Sequence, residues 1–355
     1  MIFRQLFDSV SSTYTYLLAD PTSHEAVLVD PVFEHHERDS ALLRELDLKL
    51  AYTLDTHVHA DHVSGAWLMK HKLGSKIVLS GRYGADNVDM GIDHGDAVRF
   101  GDYVVTARAT PGHTAGCLSY VSGDESIVFT GDALLIRGAG RTDFQGGDGA
   151  TLYRSIKEQI FTLPDACLVY PAHDYDGRTV SSVGEEKRHN PRIGGSAREQ
   201  DFVGFMNSLG LAHPKKIAVA VPANMRCGEP EAEIDEAVAS WGPVTLSYAA
   251  IHQIDPEWVL DHRDAVHLLD VRKAHELQDV TGQIEGVQLL PLDELRERLD
   301  EVPRDKPVVA VCHAGSRSAQ ATRILRGAGV EAANLVGGMV RWNELSFPVV
   351  RADES

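Results

Sequence analysis

Along the first half of the chain, short apolar runs alternate with turn residues. Tyr14 to Leu18 and Glu25 to Val29 read as strands joined through Pro21-Thr22-Ser23, with Asp30-Pro31 closing the second. Glu37 to Leu48 repeats its apolar residues at helical spacing. The run Leu50 to Leu54 reads as a strand, and Gly65 to Leu73 as a helix that Gly74 ends. Lys76 to Leu79, Asp102 to Ala109, Cys117 to Val121, Ile127 to Thr130 and Cys167 to Tyr170 continue the strands, with Leu152 to Phe161 helical. Many short strands with helices between them predict an α/β protein whose sheets are covered by helices.

From about Gly210 to Ala250 the pattern loosens. Lys215 to Val221, followed by Pro222 and Pro230, reads as an extended crossing segment, and Glu231 to Trp241 as an acidic helix. The character then changes. Ala265 to Leu269 is a strand ending in Asp270-Val271-Arg272, and Leu292 to Leu299 a charged helix. Pro307 to Val311 is a buried strand that runs into a small-residue loop and an amphipathic helix through Leu325. This change predicts two domains, 1–245 and 256–355, with a linker to about 255.

Composition narrows the function classes. The chain has 355 residues, 43% of them hydrophobic and 24% charged, as in globular proteins with a buried core. A formal net charge of −18 argues against nucleic acid or an anionic membrane as partner. An anionic substrate must therefore meet a local positive group: a metal, an arginine or a helix N-terminus. Met1 to Asp8 carries no signal-peptide pattern, and no apolar run reaches membrane-spanning length. Cys117, Cys167, Cys227 and Cys312 are widely spaced, so a cytoplasmic protein with reduced thiols is expected.

The chemistry concentrates at strand ends. Thr56-His57-Val58-His59-Ala60-Asp61-His62 follows the Leu50 to Leu54 strand, where a short loop can aim imidazole and carboxylate groups inward. His113 sits in the turn Thr110-Pro111-Gly112-His113, Asp132 closes the strand ending at Thr130, and His173 follows Tyr170-Pro171-Ala172. Singly, Asp132 reads as a helix cap and His173 as a satisfied core histidine. Together the set holds five histidines and two aspartates on loops after apolar strands, which points to a metal site.

Over roughly residues 1 to 245 the sequence resembles the metallo-β-lactamase superfamily, which implies an αββα sandwich with a metal site at one edge. In the two-metal form of that family, His57, His59 and His113 would hold one ion and Asp61, His62 and His173 the other, with Asp132 bridging. A narrower resemblance is to persulfide dioxygenases. It is carried by Phe129-Thr130-Gly131-Asp132-Ala133-Leu134-Leu135-Ile136-Arg137-Gly138, Gly140-Arg141-Thr142-Asp143-Phe144-Gln145, His173-Asp174-Tyr175-Asp176-Gly177 and Gly184 to Arg192. That resemblance implies one Fe(II) per chain on His57, His113 and Asp132, with His59, Asp61, His62 and His173 as supporting groups or ligands of a second metal. It also implies oxidation of glutathione persulfide by O₂ to sulfite and glutathione. The two carboxylates of glutathione need cationic or hydrogen-bonding partners, and the matched positions offer Arg141, Tyr175, Arg178 and Asn190. The alternative is a binuclear zinc thioester hydrolase, similar to glyoxalase II, with a sulfur-carrier module attached.

In the C-terminal part, Cys312-His313-Ala314-Gly315-Ser316-Arg317-Ser318 lies between a strand and a helix. Successive N–H groups and the helix N-terminus can there form one anion cradle that stabilises a thiolate at Cys312. The bland reading is an inert buried cysteine. The loop resembles that of rhodanese domains, as do Leu269-Asp270-Val271-Arg272 and Gly337-Gly338-Met339-Val340-Arg341-Trp342. Gly282 to Gly286 departs from that pattern, which usually has a His and a Pro. The resemblance implies an α/β domain with a parallel central sheet, and sulfane-sulfur transfer between thiosulfate and glutathione with Cys312 as nucleophile and Arg317 holding the anion. Expected partners are thus small molecules: glutathione persulfide, glutathione, thiosulfate, sulfite and O₂. A homodimer is left open.

Overall fold

In the computed structural model, which describes residues 1–212, 216–230, 241–247, 249 and 251–351, every residue of Thr13–Ala19 is buried. Tyr14, Tyr16 and Leu18 enter one apolar cluster and Leu17 and Ala19 another, as alternate side chains do in a strand covered on both faces. This strand, β2, pairs with β1 (Ile2–Asp8) and β3 (Glu25–Val29) in a six-stranded sheet. The sheet continues through β4 (Lys49–Leu54), β5 (Lys76–Ser80) and β6 (Met90–Ile92). Pairing is antiparallel from β1 to β3 and parallel from β3 to β6.

A second sheet is formed by β7 (Ala97–Phe100), β8 (Tyr103–Ala109), β9 (Leu118–Ser122) and β10 (Ile127–Gly131). After a ribbon of β11 (Leu134–Leu135) and β12 (Gly138–Ala139), the chain returns to add β13 (Leu168–Pro171) parallel to β10, and then β14 (Ser181–Ser182). The sheets face each other across Tyr16, Leu18, Leu54, Phe100, Tyr120 and Phe129. On the outer face of the first sheet, α1 (His36–Glu45) and α2 (Ala66–Leu73) bury Leu42, Leu43 and Met69. On that of the second, α3 (Gly149–Ser155) and α5 (Glu199–Asn207) bury Leu152, Phe202 and Met206. The short α4 (Val183–His189) adds Val183 to that layer. This is the expected αββα order, with the loops after β4, β8, β10 and β13 carrying the candidate ligands.

Three local expectations are corrected. The helix expected at Leu152 to Phe161 starts earlier, at Gly149, because the Asp148 side chain accepts from Thr151 N at 2.7 Å, and it widens into a π turn over Ile156–Ile160. Ile217–Asn224 is helical (α6) rather than extended. Pro222 removes one helical N–H, but Val221 and Met225 pack against the cluster of Val58, Ala66 and Cys227, and packing outweighs the local penalty. Leu292 to Leu299 forms successive turns in place of a helix, with Leu295 N bonded to Leu292 O and Glu297 N to Glu294 O. The acidic helix expected over Glu231 to Trp241 lies outside the described residues except for Trp241. No helix among the described residues is long and apolar enough to cross a membrane.

The chain divides into two compact units, Met1–Glu233 and Ile234–Ser355. The second holds a sheet of β15 (Thr245–Leu246), β16 (His252–Ile254), β17 (His267–Asp270), β18 (Gln288–Leu289), β19 (Val308–Val311) and β20 (Ala332–Leu335). Its order is β15-β16-β20-β19-β17-β18, parallel except for the β15–β16 pair. The sheet therefore begins upstream of residue 256. From β19, Val308 and Ala310 face Ala321, Ile324 and Leu325 of α8 (Ser316–Gly327). Val309 and Val311 face Val259 of α7 (Pro256–Asp261) and Met339 and Trp342 of α9 (Gly338–Glu344). Cys312 follows the C-terminal end of this inner strand, where parallel sheets place their ligand sites.

Candidate active sites

The loop after β4 is tied down from three sides. Asp30, at the end of β3, accepts from Thr56 N at 2.7 Å and from the Thr56 hydroxyl at 2.9 Å. Leu118 N donates to Thr56 O at 2.9 Å. Asn224 of α6 donates to His59 O at 2.9 Å and His62 O at 2.8 Å, and accepts from Ser64 N at 2.8 Å.

These bonds decide which nitrogen each imidazole offers. The Thr56 hydroxyl gives its hydrogen to Asp30, so its oxygen accepts from His57 Nδ1 at 3.0 Å and leaves His57 Nε2 as a bare lone pair. His113 Nδ1 donates to the Arg141 carbonyl at 2.6 Å, which bares Nε2. Its Nε2 lies 3.6 Å from Asp132 Oδ2, while Asp132 Oδ1 accepts from His173 Nδ1 at 2.7 Å. His57, His113 and Asp132 place one ligand-type atom each within 4.8 Å of the others. Burial, with His59 alongside, holds the His57 imidazole well below its ordinary pKa, so it is neutral and able to donate its lone pair. Burial alone would raise the Asp132 carboxyl, but His173, His113 and His57 hold it below the usual carboxylate range.

His59, Asp61, His62 and His173 form a second group on the same criterion. His59 Nε2 donates to Asp30 Oδ1 at 3.1 Å. Its Nδ1, and Nε2 of His62, are buried without a hydrogen-bond partner. Buried imidazole nitrogens left bare beside carboxylates are what a cation site requires, and two imidazoles with one carboxylate on one face suit ferrous iron. Residues His57, His113 and Asp132 thus fit the metal that the sequence implies.

These three side chains line a cavity of about 810 Å³. Leu135, Phe144, Leu209 and Leu211 give it an apolar wall, and Arg141, Tyr175, Arg192 and Lys216 reach its rim. The proposed substrate contacts separate here. Tyr175 is 71% exposed, with its ring parallel to that of His173. Arg141 lines the cavity but is committed to Asp143 and to the carbonyls of Leu211 and Ala212. Arg178 does not line it and pairs with Asp176 at 2.8 Å and Asp174 at 3.6 Å. Asn190 is buried and donates to Gly138 O and Glu186. Sequence reasoning passed over Arg192, whose Nη1 donates to Ala139 O at 2.7 Å, and Lys216, which lies 3.1 Å from Glu34.

In the second unit, the Cys312 sulfur accepts from Gly315 N and from the Ser318 hydroxyl, each at 3.2 Å. Gly315 has φ +99°, a left-handed conformation that glycine adopts without a Cβ penalty, and a Cβ at Gly338 would lie 2.3 Å from Cys312 O. Met339 N and Val340 N clamp the carbonyls of Cys312 and His313 at 2.9 Å each. One backbone N–H of the loop, that of Gly315, thus reaches the sulfur, and His313, Ala314 and Ser316 are the loop's remaining members. Arg317 forms two 2.7 Å bonds with Glu276, a partner that sequence reasoning did not name. Asp270 and Arg272, from the Leu269-Asp270-Val271-Arg272 motif, form a fully buried pair, and Arg272 also donates to Thr281 and Gly282 O.

Residues 9–173 match the metallo-β-lactamase superfamily, and residues 255–345 match the rhodanese-like domain. A structure of a metallo-β-lactamase from Staphylococcus aureus subsp. aureus COL is similar over 95% of this chain and 99% of that one, with a TM-score of 0.60; at 22% identity the likeness is one of fold. The protein is thus a metallo-β-lactamase-fold domain joined to a rhodanese-like domain. Over 229 residues the chain is 54% identical to the mitochondrial persulfide dioxygenase ETHE1 of Homo sapiens, covering 64% of this chain and 89% of that protein. The crystal structure of ETHE1 from Myxococcus xanthus is similar with a TM-score of 0.62 and 51% identity, over 64% of this chain and all of that one, 100%. The chain belongs to the ETHE1 persulfide dioxygenase family and carries a rhodanese-like domain beyond the shared region.

Proposed function

We propose that the first unit oxidises glutathione persulfide with O₂ at a single ferrous iron held by His57, His113 and Asp132. The second unit would transfer sulfane sulfur between thiosulfate and glutathione through Cys312. The observation that carries the first half is the fixed donor set: Thr56 and the Arg141 carbonyl bare Nε2 of both histidines, and His173 leaves Asp132 one free oxygen toward the cavity. Ferrous iron, when bound, supplies the redox chemistry for O₂ and positions open to a sulfur ligand. The protein's own part is to orient the ligands, keep His57 neutral and line the cavity with apolar side chains that limit water near the persulfide.

The balance closes: glutathione persulfide, O₂ and water give glutathione and sulfurous acid, which ionises to sulfite. In the second unit, the Cys312 thiolate attacks the outer sulfur of thiosulfate. Its S–S bond breaks, sulfite leaves with the bonding electrons, and Cys312 becomes a persulfide. A glutathione thiolate then takes that outer sulfur, regenerating the thiolate and forming the dioxygenase substrate. Attack of sulfite on the Cys312 persulfide is the same chemistry reversed, giving thiosulfate. One chain carrying both sites raises the local concentration of the shared intermediate.

Oxygen uptake with pre-formed glutathione persulfide tests the reading, with one sulfite expected per O₂ consumed. The same assay tests substrate recognition. Arg192 reaches the cavity with guanidinium nitrogens beyond the one given to Ala139 O, so it is the best-placed cation for a glutathione carboxylate. A hydrogen bond to a charged group contributes about 1.5–3 kcal/mol, so Arg192→Ala should raise KM roughly tenfold or more. Iron content should be unchanged. Arg178→Ala, which breaks the pairs with Asp174 and Asp176 and a 3.5 Å bond to Ile136 O, should leave KM near the wild-type value. The reverse pattern would move the carboxylate site to the Arg178 side.

A further inference from the structure

The second ligand group looks competent for a cation and is already filled by a side chain. Thr13, the first residue of β2, is fully buried at 0% exposure. Its hydroxyl oxygen lies 3.0 Å from His173 Nε2, 3.3 Å from His62 Nδ1 and 3.3 Å from Asp61 Oδ2. A cation ligated by those three atoms would sit about 2.0–2.2 Å from each, in the space the hydroxyl occupies. His173 has no nitrogen left over, since Nδ1 is bonded to Asp132 Oδ1 at 2.7 Å and Nε2 to Asp61 Oδ2 at 2.9 Å.

Thr13 is held in this place by its neighbours. The Ser11 hydroxyl lies 2.7 Å from the Thr13 hydroxyl. Tyr14 N donates to Ala172 O at 2.7 Å, and Thr13 bridges His173 in an isolated β-bridge. The backbone of β2 is thus stitched to the very loop that carries His173, and a second ion could enter only by displacing an ordered strand residue. Nε2 of His62 and Nδ1 of His59 are also buried without partners, but neither is among the atoms that surround the Thr13 hydroxyl. Around that hydroxyl, what a cation lacks is space.

We infer that Thr13 is the residue that limits this metallo-β-lactamase-type site to one metal ion, by filling the second cation position with its side chain. The inference rests on the single-metal reading above and assigns its cause. With the second position filled, the site offers one ion with open positions, which suits O₂ and a sulfur ligand rather than the bridging hydroxide of two-metal hydrolysis.

Zn²⁺ is the suitable probe, because it has no geometric preference of its own and accepts carboxylate and imidazole donors. Full-length apoprotein would be titrated with excess Zn²⁺, desalted and analysed for metal per chain. Wild type should saturate near one zinc. Thr13→Ala, which removes the hydroxyl and its methyl group, should saturate near two. Thr13→Val keeps the volume without the hydroxyl and should stay near one. Two zincs in wild type, two in Thr13→Val, or one in a folded Thr13→Ala would each overturn the inference. Because wild type and Thr13→Val suffice to refute it, the test survives a Thr13→Ala protein that fails to fold. Failure of the dioxygenase reading looks different. A wild type that takes one zinc in titration but never contains iron or consumes O₂ keeps the Thr13 assignment and removes the iron chemistry. One iron as isolated but two zincs in titration does the opposite.

Discussion

Cys312→Ser is expected to reduce sulfur transfer from thiosulfate to glutathione to the uncatalysed rate. Only a sulfur at this position can accept and release a sulfane sulfur, so no neighbouring group can substitute. The replacement keeps the size of the side chain and an acceptor for Gly315 N and the Ser318 hydroxyl, so the loop should persist. Oxygen uptake on pre-formed glutathione persulfide should therefore stay near wild type. Uptake supplied only with thiosulfate and glutathione should vanish, since the persulfide is no longer made on the enzyme. The other three cysteines serve as controls. Burial pushes the Cys117 and Cys167 thiols up to about 11 and that of Cys227 to about 12, which keeps them protonated and poorly nucleophilic at neutral pH. Sulfur transfer that survives in Cys312→Ser and is lost in Cys227→Ser would remove the C-terminal unit from the reaction.

His113→Ala is expected to do the converse. It deletes one of the two bared imidazole nitrogens and leaves the Arg141 carbonyl and Asp132 Oδ2 without that neighbour. Loss of a supporting partner alone typically costs a metal site 10–100-fold in affinity, and loss of a ligand costs more. Iron should fall below the level recovered after desalting, and O₂ uptake should fall by more than roughly 100-fold. Thiosulfate sulfur transfer should be unchanged, because Cys312 and its cradle belong to the other compact unit. Asp132→Ala should follow the same pattern. Retained O₂ consumption in His113→Ala would break the ligand assignment.

The parts of the site that were legible in the sequence are those whose chemistry is local. Four ligand-type residues within seven positions after an apolar strand pointed to a metal loop, and a cysteine opening a small-residue turn before a helix pointed to an anion cradle. The strands that carry these loops were also legible, because β2, β3, β5 and β10 are short apolar runs bounded by turn residues. What stayed hidden depends on partners distant in sequence. Asn224 clips the metal loop from 160 or more positions away, on a helix whose Pro222 reads as a breaker. Thr13 meets His173 across 160 positions, and as one hydroxyl in a strand it carries no signal of its own. Asn190 lies in a matched stretch and Arg178 directly after one, but a match gives residue identity, not whether the side chain faces the cavity. Here one is held by Asp174 and Asp176 and the other by Glu186 and Gly138.

Metal analysis of the full chain purified without oxygen tests the central claim most directly. The fixed lone pairs of His57 and His113, the one free oxygen of Asp132 and the Thr13 hydroxyl in the second position together call for about one iron per chain, with little zinc. Two zinc ions per chain, with thioester hydrolysis in place of O₂ consumption, would contradict it.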